Sequence, residues 1–195
     1  MSSHDLFNKY RELLESLKDI INISQGRVIG DTPDFLFSGN VNFFVKSYLI
    51  STCTYLEAYL QDVAFDLAKK ICERFNSARI PHNFLYWKTT KDLKKKDLKF
   101  EEAIFNLSKK EISEEMSANP YKTIELFRFI GVDLLQEKMF LDNKDIVSSI
   151  VIKRNNIIHH NNAANDISFN DIIIYIDVLI DYMSSIDQAV KRCTT

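Results

Sequence analysis

The chain has 195 residues, of which 46% are apolar, 27% charged and 12% aromatic, and its formal net charge is −2. That balance excludes a disordered chain, a collagen-like or disulfide-framework protein, and a protein whose overall field attracts nucleic acid. Only four Gly and three Pro occur, too few for the turns of an all-β or doubly wound α/β fold. The expected fold class is therefore all-α, an up-and-down bundle of long helices forming one domain over residues 1–195. Cys53, Cys72 and Cys193 lack any C-x-x-C spacing and read as thiols of a reducing compartment. The first residues have no charged-then-apolar leader, and the apolar run 172–180 is broken by Asp177 and too short to span a bilayer. The expected setting is the cytoplasm, away from the membrane.

In chain order, Leu6, Leu13, Leu14, Leu17, Ile20 and Ile21 predict a first helix over about 5–23, capped by Ser2 or Ser3. A loop is expected over 25–40, where three of the four glycines and Pro33 fall. The near-heptad seam Val45, Leu49, Leu56, Leu60, Val63, Leu67 and Ile71 predicts a long helix over about 42–75. Residues 82–118 read as a helical or irregular insertion. It holds the aromatic knot Phe84-Leu85-Tyr86-Trp87, then six lysines against two aspartates over 88–99, then a short candidate helix over 100–107. Asn119-Pro120 marks a helix start and Gly131 a stop. A further helix is expected from near Asp142, with Asp142 and Asp145 at capping-box spacing, to about His160. A turn through Asn161, Asn162 and Asn165 leads to a last helix from Ser168, with Asp171 three residues on and a stripe from Ile172 to Val190.

The segment that carries chemistry is Lys153-Arg154-Asn155-Asn156-Ile157-Ile158-His159-His160-Asn161. Chance places an Arg five residues before a His in roughly one such chain in seven, and the Asn after the Arg lowers this to roughly one per cent. RNA can be cut without metal when a neighbouring 2′-hydroxyl attacks the phosphodiester. This requires a group that moves protons near neutral pH and a cation for the charge that builds on phosphorus. His159 suits the first role and Arg154, with its planar fork of donors, the second. Asn155 would fix the motif or touch the RNA backbone. On one ideal helix Arg154 and His159 lie about 140° apart, whereas Asn155 and His159 share a face. Either the long Arg curls round or a second subunit completes the site.

The Arg154-Asn155-x-x-x-His159 segment resembles the motif of the HEPN superfamily, whose ribonucleases carry Arg, four to six residues and His, very often as R-N-x-x-x-H. Residues 51–62, S-T-C-T-Y-L-E-A-Y-L-Q-D, resemble the early long helix of the RiboL-PSP-like HEPN branch, including a carboxylate at Glu57. Residues 127–133, F-R-F-I-G-V-D, resemble the segment ahead of the motif helix. Position 161, often Tyr in HEPN toxins paired with a nucleotidyltransferase antitoxin, is Asn here.

The resemblance implies a metal-independent endoribonuclease, acting as a bacterial toxin or anti-phage effector. Its site would hold Arg154 and His159 as catalytic residues, supported by Asn155, His160 and Glu57. It also implies a homodimer with the site at the interface, an RNA substrate, and an antitoxin or defence-system partner. No cofactor or metal is expected, since His4, His82 and the cysteines lack ligand spacing. The alternatives are a non-catalytic HEPN module that binds RNA, nucleotide or a partner protein, or a helical adaptor. In the first, Arg154 and His159 would contact phosphate without turnover; in the second the motif is accidental, with Arg154 a structural ion-pair partner of Glu57 or of a C-terminal carboxylate and His159 an ordinary helix-end histidine. The lysine run is either a solvated face or, with Tyr86 and Trp87, an RNA-holding surface.

Overall fold

A computed structural model describes residues 3–94, 98–160 and 166–194, except for the side chains of His160 and Thr194. It contains α1 (Ser3–Ile29), α2 (Phe35–Ser38), α3 (Val41–Ser77), α4 (His82–Thr90), α5 (Lys109–Glu115), α6 (Pro120–Phe129), a 3-10 turn (Leu134–Gln136), α7 (Lys138–His160) and α8 (Phe169–Thr194). Among the described residues the only sheet-like pairing is an isolated antiparallel bridge between Pro81 and Glu102. The chain is all-α. No helix among these residues is long and apolar enough to cross a membrane.

Four long helices make the body. α1 packs on α3 and α8, and α7 packs on α8 and α3. Three of them bury most of the stripe the sequence supplies: Leu6, Tyr10, Leu14, Leu17 and Ile21 on α1; Val45, Leu49, Leu56, Leu60 and Val63 on α3; and Ile172, Ile176, Leu179, Met183 and Ile186 on α8. Leu13 and Ile20 on α1 and Ile71 on α3, expected on those stripes, lie at their edges and are exposed. Full burial of such a side chain stabilises by about 1.5–3 kcal/mol, so the shared core outweighs any local propensity. At 37 residues α3 is about 55 Å long and crosses the bundle from end to end. The hydroxyl of Tyr59, fully buried on α3, donates to the Met183 carbonyl at 2.9 Å, which satisfies a polar group that would otherwise be costly in the core.

Several local signals operate as the sequence implies. The Asn119 side chain accepts from Tyr121 N–H at 2.9 Å with Pro120 in the first turn of α6. At the other end Gly131 has φ +87°, Val132 N–H reaches Phe127 O at 2.8 Å and Gly131 N–H reaches Arg128 O at 3.1 Å. This is the two-bond C-terminal lock in which a left-handed residue frees the chain to turn. Phe127 and Val132, both buried, flank it. Ser168 and Asp171 form a reciprocal cap on α8, with Ser168 N–H to Asp171 Oδ2 at 2.8 Å and Asp171 N–H to Ser168 Oγ at 3.1 Å.

Elsewhere the elements differ from expectation. α1 continues through Gly26 to Ile29, because one interior Gly costs only about 1 kcal/mol and no Pro follows until position 33. The expected loop over 25–40 also holds α2, capped by Asp34 through Leu36 N–H. Of the two expected caps of α1, Ser2 lies outside the described residues, and Ser3 is the first residue of the helix, its hydroxyl donating to Asp187, buried on α8. α7 starts at Lys138, so Asp142 and Asp145 lie inside it. The described residues of 82–118 hold two short helices, α4 and α5, while 100–107 is not helical. That stretch is held open by the bridge at Glu102 and by Asn76, whose side chain donates to Phe105 O and accepts from Phe105 N–H, each at 2.9 Å. The expected Asn turn at 161–165 lies outside the described residues.

Candidate active site

The register of α7 decides the geometry. Val147, Ile150, Val151 and Ile157 are buried and form one stripe facing α3 and α8. Arg154 stands on the same stripe, between Val151 and Ile157, where a helix of this period places an apolar residue. A charge at that position must find a carboxylate. It meets Glu57 of α3, with Arg154 Nη2 to Glu57 Oε2 at 2.9 Å. The pair is partly sheltered, its side chains 21% and 28% exposed. Arg154 Nη1 also donates to Asn155 Oδ1 at 3.0 Å. Arg154 Nε is buried and has no hydrogen-bond partner among the described residues. One turn before Glu57 lies Cys53, fully buried. Burial pushes its thiol up to about 12, with Glu57 adding to the rise and the Arg154 charge opposing it. It is an inert neighbour, not a nucleophile.

His159 stands on a different side of the helix. It lies on the last turn of α7, exposed to solvent, roughly 140° round from Arg154. Asn155 is one turn before it and shares its flank. Asn155 therefore links the two directions, bonded to the Arg154 guanidinium while standing in line with His159. The structure brings together Arg154, Asn155 and Glu57. His159 is not hydrogen-bonded to any of the three. The backbone of His160 ends α7, and its side chain lies outside the described residues.

A second ion pair fixes the end of the motif helix. Lys153 pairs with Asp166, just before α8. The hydrogen bond between them raises the Lys153 ammonium and lowers the Asp166 carboxyl. Asp166 carries no signal in the sequence, since thirteen residues and a helix end separate it from Lys153. Among the described residues no group of three or more His, Cys, Asp and Glu gathers at a metal-binding distance.

A family model described as RiboL-PSP-HEPN matches residues 5–192. Comparisons with curated proteins and with solved structures find no match.

Proposed function

Because the chain belongs to the RiboL-PSP-HEPN family, we propose that it is a metal-independent endoribonuclease of HEPN type, a toxin or anti-phage effector working in the cytoplasm. The observation that carries this reading is the combination on α7 of an exposed His159 with Arg154 held by Glu57 and Asn155. In the proposed reaction the 2′-oxygen attacks phosphorus and the bond to the 5′-oxygen breaks. The products are a 2′,3′-cyclic phosphate and a 5′-hydroxyl. His159 takes the proton from the attacking hydroxyl or returns one to the leaving oxygen, and Arg154 offsets the charge that builds on the non-bridging oxygens. Asn155 holds the guanidinium, and His160 supports substrate contacts. Glu57 sets the resting position of Arg154.

The angular separation of Arg154 and His159 gives dimerisation a chemical purpose. Two copies meeting across the exposed flank of α7 would bring two motifs into one cleft. The restraint a toxin needs would come from an antitoxin or a defence-system partner.

A second reading is favoured by one observation. The Arg154–Glu57 pair is already neutralised and partly sheltered, which suits a non-catalytic HEPN module that binds RNA, nucleotide or a protein. Incubating purified wild type, Arg154→Ala and His159→Ala with a mixed-sequence RNA separates the two. The nuclease reading expects cleavage by wild type that both variants lose while keeping their helical circular dichroism. Equal RNA binding by all three with no cleavage at any pH between 5 and 9 supports the second reading and ends the first.

A further inference from the structure

The segment after α3 has features the bundle does not explain. α4 is aromatic, yet no residue of it is buried. Phe84 and Trp87 are 50% and 39% exposed, one turn apart on one side of the helix. Their rings meet edge to face with centroids 5.9 Å apart. Lys88 Nζ lies 4.9 Å from the centre of the Trp87 ring. The backbone then turns sharply, with Lys91 in the left-handed region at φ 57° and its N–H on Trp87 O at 2.7 Å. The returning strand of chain is pinned back on α4, with Lys99 N–H to Asn83 Oδ1 at 2.9 Å and His82 N–H to Glu101 O at 3.0 Å. This leaves Phe100 88% exposed.

The charges are equally distinctive. Lys9, Lys18, Lys69, Lys70, Lys109 and Lys153 each pair with a carboxylate. Lys88, Lys91 and Lys94, like Lys46, Lys99, Lys122 and Lys138, form no ion pair among the described residues, but these three are clustered in a stretch with six lysines against two aspartates. In a chain of net charge −2, this is a local positive field beside exposed rings. A folded protein leaves aromatic faces and unneutralised cations together at a cost in solubility and self-repulsion. A ligand that carries flat rings on a polyanionic backbone matches both at once.

We propose that α4, with Lys88 on it and Lys91 and Lys94 just after it, forms a docking platform for single-stranded RNA. Phe84 and Trp87 stack on bases, and Lys88, Lys91 and Lys94 hold phosphates. The proposal rests on the RNA-directed reading above only for the chemical class of ligand. α4 follows the end of α3 at Ser77, twenty residues beyond Glu57, which is about 30 Å along that helix. The platform thus engages a strand at a distance from Arg154 and favours long substrates over short ones.

Trp87 is the only tryptophan in the chain, so its fluorescence reports on the platform alone. The test titrates His159→Ala protein, and the same protein carrying Lys88→Glu and Lys91→Glu, with an oligouridylate of about twenty nucleotides, well above the span of one such platform. Binding is followed by dye anisotropy and by Trp87 emission. The expected result is saturable quenching of Trp87 that tracks anisotropy. Affinity should fall roughly tenfold or more on Trp87→Ala and on the double charge reversal, with a shallower salt dependence for the latter.

RNA binding with unchanged Trp87 emission and equal affinity in all variants overturns the proposal. So does capture of a protein partner on α4 with no RNA binding. Cleavage of a trinucleotide distinguishes this from failure of the nuclease reading. If trinucleotide and long RNA both stay uncut while Trp87 quenching persists, the platform stands and the nuclease reading fails. If both are cut equally well by wild type and by the double charge reversal, the platform fails and the nuclease reading stands.

Discussion

Arg154 on α7 and the lysines on and just after α4 are treated oppositely by the same fold. Arg154 occupies a core register, so the bundle forces it against Glu57 and shelters the pair. Lys88, Lys91 and Lys94 lie on a segment whose helix buries nothing, and no carboxylate among the described residues pairs with them. A charge held in a defined position by packing has its geometry set before any ligand arrives, which is what a reacting phosphate needs. A cluster of free charges on an exposed segment has reach and attraction without precision. The two regions are suited to chemistry and to capture respectively.

The largest expected effect breaks this comparison on the α7 side. Arg154→Ala and His159→Ala should each lower RNA cleavage by about a hundredfold or more, the range for removing a charge stabiliser or a proton-transfer group. Unfolding in urea should separate the two. His159 is exposed, so His159→Ala should leave stability within about 0.5 kcal/mol of wild type, whereas Arg154→Ala strands Glu57. An Arg154→Ala protein as active as wild type would show that the guanidinium is purely structural.

Next comes the pair itself. Glu57→Gln keeps the shape but removes the countercharge from a guanidinium whose Nε already lacks a partner. Both side chains retain some solvent, so the loss should be about 1–2 kcal/mol, below that of a fully buried pair. A double-mutant cycle of Glu57→Gln with Arg154→Ala should give less than the sum of the single effects. Strict additivity would mean that the two side chains do not share their energy.

A smaller loss is expected at Gly131→Ala, near the segment that leads into α7. No neighbour obstructs a Cβ there, but φ is +87°, so the cost is backbone strain of about 1 kcal/mol. Thermal melting would reveal it, and an unchanged midpoint would argue against the left-handed lock.

The smallest effect is a pH dependence carried by Asp62, five residues beyond Glu57 on α3. Burial raises its carboxyl, but hydrogen bonds from Lys109 and Tyr10, with the charges of Lys109 and Lys9, outweigh this and hold it below the ordinary range. A carboxyl depressed in the folded state contributes stability that is complete above the unfolded value of about 3.9 and is lost as pH falls through the lower folded value. Asp62→Asn should therefore flatten the acid limb of the stability profile while barely altering it above pH 6. An identical acid limb in the variant would contradict the clamp.

What was legible in the sequence followed from strong local signals. Asn119-Pro120, Gly131 and the Ser168–Asp171 box each act through bonds within a few residues, and the seams of α3 and α8 repeat often enough to fix a face. The α1 extension past Gly26 was hidden because packing outweighed a weak propensity. The open course of 100–107 was hidden because Asn76, some thirty residues earlier, brackets Phe105. At the site, the motif residues and the offset between Arg154 and His159 could be read directly from spacing. Glu57 could be named as a partner, but its contact with Arg154 spans 97 residues and depends on how α3 and α7 cross. Asp166 gave no signal because a helix end separates it from Lys153.

In the proposed reaction His159 and Arg154 direct attack by a 2′-hydroxyl. The most direct test compares a defined RNA with the same strand carrying a single 2′-deoxynucleotide at the cut position, reading both ends of the products. The RNA should yield a 2′,3′-cyclic phosphate and a 5′-hydroxyl, and the deoxy position should stay uncut. Cleavage at the deoxy position, or products ending in 3′-hydroxyl and 5′-phosphate, would contradict it.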